Sequence, residues 1–255
     1  MSKKSTRIFL IIGITKESAH WDDTFVEKLK EKYQTDDIVA IDLPGAGKFL
    51  DKKSPLSMEG VVKETRSNYK DLLDNTKDNI LVSISLGGMV ATEWLKQYPG
   101  DFQKFVIVNS SFRGFSPVYK RVQPWAIRKF FKVFMASNEE EREHHIIDLC
   151  SNNSEAYDST KNKWVKIAKE RPMSKENMLR QLLAGSRYKP MHKPQIPTLI
   201  IAARHDKLAH FSCSEKLHQK WGGDFYLMDE EHIGHGVHLD APQQLAQVIY
   251  EWPNT

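Results

Sequence analysis

Cysteine is scarce in this chain of 255 residues, which carries only Cys150 and Cys213. They stand far apart and follow no metal or redox spacing, which excludes a disulfide-stapled scaffold and a cysteine-zinc module. Two free thiols in a reducing compartment, or one disulfide, remain; we take the free thiols, and with them a cytoplasmic location. Long apolar runs are missing as well, so stable membrane insertion is not expected. No charge of one sign dominates. The formal net charge of +4 does not by itself argue for nucleic acid, and no zinc-finger, RNP or KH pattern occurs. Internal repeats and low-complexity tracts are also lacking. What is present is the composition of a soluble globular protein, at a length that suits one large α/β domain with an insertion.

The N-terminus has two readings. Lys3, Lys4 and Arg7 precede the apolar run Ile8 to Ile12, as in a signal peptide. The run is at the short end for that role, and Lys16 and Glu17 follow it without a small-residue cleavage site. A buried parallel strand has the same appearance and is the reading preferred.

Strand and helix signals then alternate. Strands are expected over Arg7 to Ile14, Ile38 to Leu43, Ile80 to Ile84 and Phe105 to Val108, with helices between them. From Asn109 the rhythm breaks, and residues 112 to 190 hold helical patterns only. Ser137-Asn138-Glu139-Glu140 reads as a capping box, and Gly185 as the stop of a helix carrying Met178, Leu179, Leu182 and Leu183. Strands resume at Thr198 to Ala203 and Phe225 to Met228, and residues 241 to 252 form the last helix. The fold class expected is α/β: a mostly parallel, six-stranded, doubly wound sheet. The core is residues 1–111 and 191–255, and a helical cap at 112–190 is inserted after the fourth strand.

Ligands in such sheets bind beyond the carboxyl ends of the strands. Ser85 ends the third strand, with Gly87 two residues later and the small Ser83 two residues before. A nucleophile on a sharp strand-to-helix turn needs such small neighbours. Ser83 as nucleophile would lie inside the strand with no glycine after it, so Ser85 is preferred. A helix cap alone would explain one serine. It does not explain His235 after the last strand and Asp206 after the fifth, which supply a base and the carboxylate that orients it.

These segments resemble the α/β-hydrolase superfamily, in its capped esterase and lipase-like branch with a Ser-Asp-His triad. Asp42-Leu43-Pro44-Gly45-Ala46-Gly47 is similar to its D-x-P-G-x-G turn, and Ser83 to Gly88 to its nucleophile elbow. Ile196 to Asp206 is similar to its acid strand, and Gly234-His235 with Pro242 to its histidine segment. The resemblance implies the superfamily's fold without its first strand pair. It also implies an oxyanion hole from the backbone N–H groups of Ile14 and Leu86, although Ile12-Gly13 stands where the family usually has His-Gly. Ser83 would fill the place of the elbow's first glycine with slight crowding.

The histidines at 232, 235 and 238 invite a metal reading, but no second cluster supplies further ligands, so no metal and no cofactor is implied. His20 reads as a surface residue at a helix start, and His205 as structural. Arg113, Lys120, Arg121, Arg128, Lys129 and Lys132 form a basic stretch of the cap, interleaved with aromatics and free of acids. A solvated basic face over an apolar one is the preferred reading; a lid for an amphipathic or anionic acyl substrate, or one touching anionic lipid, is the alternative.

The function expected is therefore a serine hydrolase that cleaves a small-molecule carboxylic ester or thioester through an acyl-enzyme on Ser85. Alternatives are an acyltransferase or C–C hydrolase using the same triad, or a non-hydrolytic ligand-binding protein. Oligomeric state has no signature in the sequence.

Overall fold

The computed structural model describes residues 5–73, 76–153 and 157–252; Lys3 and Lys4 lie outside them. Six strands form one sheet: β1 (Thr6–Ile11), β2 (Ile38–Ile41), β3 (Asp78–Ile84), β4 (Lys104–Val108), β5 (Thr198–Ala203) and β6 (Asp224–Met228). Their order is β2-β1-β3-β4-β5-β6, and every neighbouring pair is parallel. The apolar run at the N-terminus is thus a strand inside the sheet, paired on both sides.

Both faces of the sheet are buried, which is why its strands read as unbroken apolar runs. Side chains alternate between two cores. Phe9, Ile11, Leu81 and Phe105 meet α2 (Met58–Tyr69) and α3 (Leu86–Gln97) on one face. Ile8, Leu10, Val82 and Val106 meet α1 (Asp23–Tyr33) and the C-terminal helices on the other.

Between β4 and β5 the chain is helical: α4 (Val118–Arg121), α5 (Pro124–Met135), α6 (Glu139–Cys150), α7 (Tyr157–Glu170) and α8 (Lys175–Arg187). Then follow α9 (Ser212–Trp221), α10 (Val237–Asp240) and α11 (Pro242–Glu251). The inserted helices share a small core of Val133, Ile146, Ile147 and Trp164, which continues onto Leu208 and Leu239 of the remainder.

Several local expectations need correcting. The first strand stops at Ile11, and Ile12 to Ile14 leave the sheet to cross the end of β3. The last helix falls where expected, as α11, but a short separate helix, α10, precedes it; the two part at Ala241, since Pro242 has no N–H to continue α10. The N-cap of α6 is Asn138, whose side chain accepts from the Glu141 N–H at 2.9 Å, while the Glu141 carboxylate accepts from Ser137 N. The cap is therefore one residue later than read, and the Glu141 carboxylate reaches past it to Ser137 instead of closing a capping box. Gly185 does not end α8 but lies inside it, because a Cβ there would press on the Leu86 side chain. On α5, the basic side chains do not have the outer face to themselves: Ile127, Phe131 and Met135 are 55%, 66% and 65% exposed. Cys150 and Cys213 are free thiols.

Candidate active site

Ser85 follows β3 directly and precedes α3, with φ 57° and ψ −120°. A non-glycine residue held in such a region costs about 1–3 kcal/mol, so the surroundings must impose it. Ser85 N–H donates to the Val108 carbonyl at 2.9 Å, and its own carbonyl accepts from Gly88 N–H at 3.0 Å. The Ser110 hydroxyl donates to that same carbonyl at 2.6 Å.

Space is as tight as the bonding. A Cβ on Gly87 would collide with the Ile11 carbonyl, and one on Gly88 with the Ser110 hydroxyl. A Cβ on Gly13 would stand 3.2 Å from the Ser85 Cβ. Ser83, fully buried beside Ile11, does more than fill a gap: its hydroxyl donates to the Val106 carbonyl on β4 at 3.1 Å. A side chain at that position is accommodated because it turns toward the neighbouring strand and bonds there.

His235 lies in the loop between β6 and α10. Its Nδ1 is 2.7 Å from Asp206 Oδ2. Asp206 follows β5, and its other oxygen accepts from Leu208 N–H at 2.7 Å and Ala209 N–H at 3.0 Å. These donors fix the carboxylate and compensate its burial. With Nδ1 donating to a carboxylate, Nε2 keeps a lone pair. That nitrogen is buried and has no hydrogen-bond partner among the described residues. Ser85 and His235 together line two adjoining clefts, of about 700 Å³ and 770 Å³.

Ile14 and Leu86 line the second cleft with Ser85, and their amides make no hydrogen bond among the described residues. Leu86 N–H belongs to the first turn of α3, where donors are unpaired and the helix dipole is positive. The next residue along the β1 loop, Thr15, has a positive φ of 63° and donates its N–H to Gln181 Oε1 on α8 at 3.1 Å.

Three titratable groups around the site are held neutral by burial. Burial pushes the Cys150 thiol up to about 12 and His238 down to about 3. His20 is buried too, not on the surface, and burial holds it well below its ordinary value. Lys16 is a charged exception. It is 5% exposed, paired with Glu143 of α6 at 2.7 Å, and its ammonium lies 3.4 Å from the centre of the Trp164 ring. Burial lowers its pKa against the pull of Glu143.

The structure thus brings Ser85, Asp206, His235, Ile14 and Leu86 to one place. Of the other histidines, His205 Nε2 lies 3.2 Å from the Asp229 carbonyl. His232 is exposed while His235 and His238 are buried, and no three potential metal ligands cluster among the described residues. Sequence reading missed the braces. Asn109, at φ 46°, accepts from Ala203 N–H at 2.9 Å and donates to the His235 carbonyl at 3.0 Å. Asp240 accepts from Gly234 N–H at 2.7 Å and Asn152 N–H at 3.1 Å, and from the Ser151 hydroxyl. Asn109 did carry one signal, since asparagine tolerates the left-handed region and stands at the end of a strand.

A parallel sheet in this order, with a serine on the strand-to-helix turn and an Asp–His pair beyond later strands, defines an α/β-hydrolase. The chain belongs to the serine aminopeptidase, S33 family (Hydrolase_4), which it matches over residues 3–242. It is a hydrolase of that fold. Among solved structures it is similar to the esterase RhEst1 from Rhodococcus sp. ECU1013, at 16% identity and TM-score 0.73, covering 96% of this chain and 89% of that one. It is also similar to a thermophilic esterase from Thermogutta terrifontis, at 16% identity and TM-score 0.71 over 98% and 90% of the two chains. A third is the 2-hydroxy-6-oxo-6-phenylhexa-2,4-dienoate hydrolase from Rhodococcus sp. strain RHA1, at 18% identity and TM-score 0.73 over 97% and 90%. No curated protein matches the chain.

Proposed function

We propose that the protein hydrolyses small carboxylic esters or thioesters through an acyl-enzyme on Ser85. The observation that carries this reading is the unpartnered Nε2 of His235, in clefts shared with Ser85, on a ring whose other nitrogen is held by Asp206. In the mechanism, Ser85 Oγ attacks the acyl carbonyl as its proton passes to His235 Nε2. The Ile14 and Leu86 amides take the charge that forms on the carbonyl oxygen, each such donor contributing about 3 kcal/mol. The leaving group departs with the proton from His235. Water then gives a proton to the same nitrogen and attacks the acyl carbon, and His235 returns that proton to Ser85 Oγ as the acid leaves. Residues 112–190 act as the cap that encloses the substrate.

The lining of the site favours an ester over an aminoacyl substrate. A free α-amino group would need a carboxylate to accept its charge, and no Asp or Glu lines either cleft. The first is walled instead by apolar side chains such as Phe130, Val133, Phe134, Leu149 and Trp164.

A fluorophosphonate probe tests the nucleophile. Labelling is expected in the native chain and in Ser83→Ala, and is expected to vanish in Ser85→Ala; labelling that survives Ser85→Ala would sink the proposal. A series of p-nitrophenyl esters beside an aminoacyl p-nitroanilide then tests substrate class, with ester turnover alone expected. Absence of ester turnover at any chain length, with the fold intact, would point to a binding protein.

A further inference from the structure

The second cleft contains a cation that neither the hydrolytic machinery nor the packing accounts for. Arg121 ends α4 and lines this cleft with Ser85, Leu86, Asn109 and Ser111. No Asp or Glu lines it, and Arg121 has no ion pair among the described residues. Its one side-chain hydrogen bond among the described residues is long: Nη2 donates to the Gly185 carbonyl at 3.4 Å, and the buried Nε–H has no acceptor among them. Burial lowers its pKa, the Cys213 thiol opposes that shift, and Arg113, of the same sign, adds to it.

Arg121 is half-buried, but its Nε–H is shielded from water with no acceptor among the described residues, and such an unpaired donor is costly unless a ligand supplies the acceptor. Helix capping is the obvious structural use, because Gly185 lies near the C-terminus of α8. One contact at 3.4 Å leaves most of the donor fork unspent, however, and the fork suits a planar oxyanion.

Resting on the reading of Ser85 above, we propose that Arg121 binds a carboxylate carried by the substrate, making the preferred substrate a monoanionic ester. A single guanidinium in an otherwise uncharged pocket matches one negative charge better than a phosphate dianion. The carboxylate would lie on whichever portion of the ester occupies the second cleft, leaving the apolar first cleft for the rest. Arg121 is thus a specificity residue, not a participant in bond making.

Two ester pairs test this, each an anion beside its neutral methyl ester. Mono-4-nitrophenyl glutarate places the carboxylate on the acyl side, and 3-acetoxybenzoate on the leaving side. The native chain is expected to favour the charged member of at least one pair. In Arg121→Gln the charged-to-neutral ratio of kcat/KM is expected to fall about tenfold or more, and Arg121→Lys to recover part of it. A mere capping role would lower both members of a pair together, and that result overturns the proposal, as does a native preference for the neutral member in both pairs. If no ester is turned over, the nucleophile reading fails separately. Calorimetric titration with the monomethyl glutarate anion then decides the subsite: binding lost in Arg121→Gln upholds it, and no binding to the native chain overturns it.

Discussion

Asn109 spends its whole side-chain amide on the backbone of other loops. Its oxygen holds Ala203 N–H at the end of β5, and its nitrogen holds the His235 and Gly234 carbonyls at 3.0 and 3.3 Å. Replacing it with alanine would strand these groups and leave a Cβ-bearing residue at φ 46° with no side chain to stabilise it. We expect Asn109→Ala to lose about 2–4 kcal/mol in urea unfolding. We also expect kcat on an ester to fall, because the main chain carrying His235 loses its tie; native-like stability and kcat would refute this role. Such a brace is hard to see in a sequence. Ser85, Asp206 and His235 were legible because side-chain chemistry at strand ends, with small neighbours, has a spacing. Asn109 and Ser110 act on carbonyls, and any residue provides a carbonyl. His20 differs for a related reason: it is buried with its ring against Trp164, which is distant in sequence.

At the scale of elements, periodicity was a good guide wherever burial is two-sided or one-sided throughout. β1, β3 and β5 were recognisable for that reason, as were the interruption after β4 and the return at Thr198. The errors fall where a tertiary contact overrides a local signal. Gly185 lies in the last turn of α8 without ending it because Leu86 needs the space, and Ile12 to Ile14 leave the strand to reach Ser85. The Lys16–Glu143 pair is another contact of this kind, joining the loop after β1 to α6 with side chains 5% and 4% exposed. Removing one partner leaves a buried charge alone, so Glu143→Ala should cost about 3–5 kcal/mol. The double variant Lys16→Met with Glu143→Leu should recover most of that loss. Denaturant unfolding of the single and double variants checks this, and strictly additive losses would show that the two side chains do not act as a pair.

For the molecule as a whole, buried neutral histidines set a response to acid. An unfolded histidine titrates near 6.5, whereas burial holds His238 at about 3. Between those values the unfolded chain binds a proton that the folded chain refuses. Stability is therefore full above pH 6.5 and declines as pH falls toward 3, by about 2 kcal/mol at pH 5 for this residue. His20, also pushed down by burial, adds a loss of the same sign. Urea unfolding at pH 7 and pH 5 should show a smaller difference in His238→Phe than in the native chain, by about that amount. Equal differences would mean that His238 is not held neutral. The inserted helices also belong to this global economy. Gly236 N–H, next to His235, donates to the Cys150 carbonyl at the end of α6 at 2.6 Å, and Asp240 is held by Ser151 and Asn152 just beyond it. Residues 112–190 are therefore not an exchangeable module. A chimera that takes this segment from another hydrolase would receive new walls for the first cleft and, in the same step, a differently placed histidine, unless it keeps Cys150 to Asn152 as the native graft point.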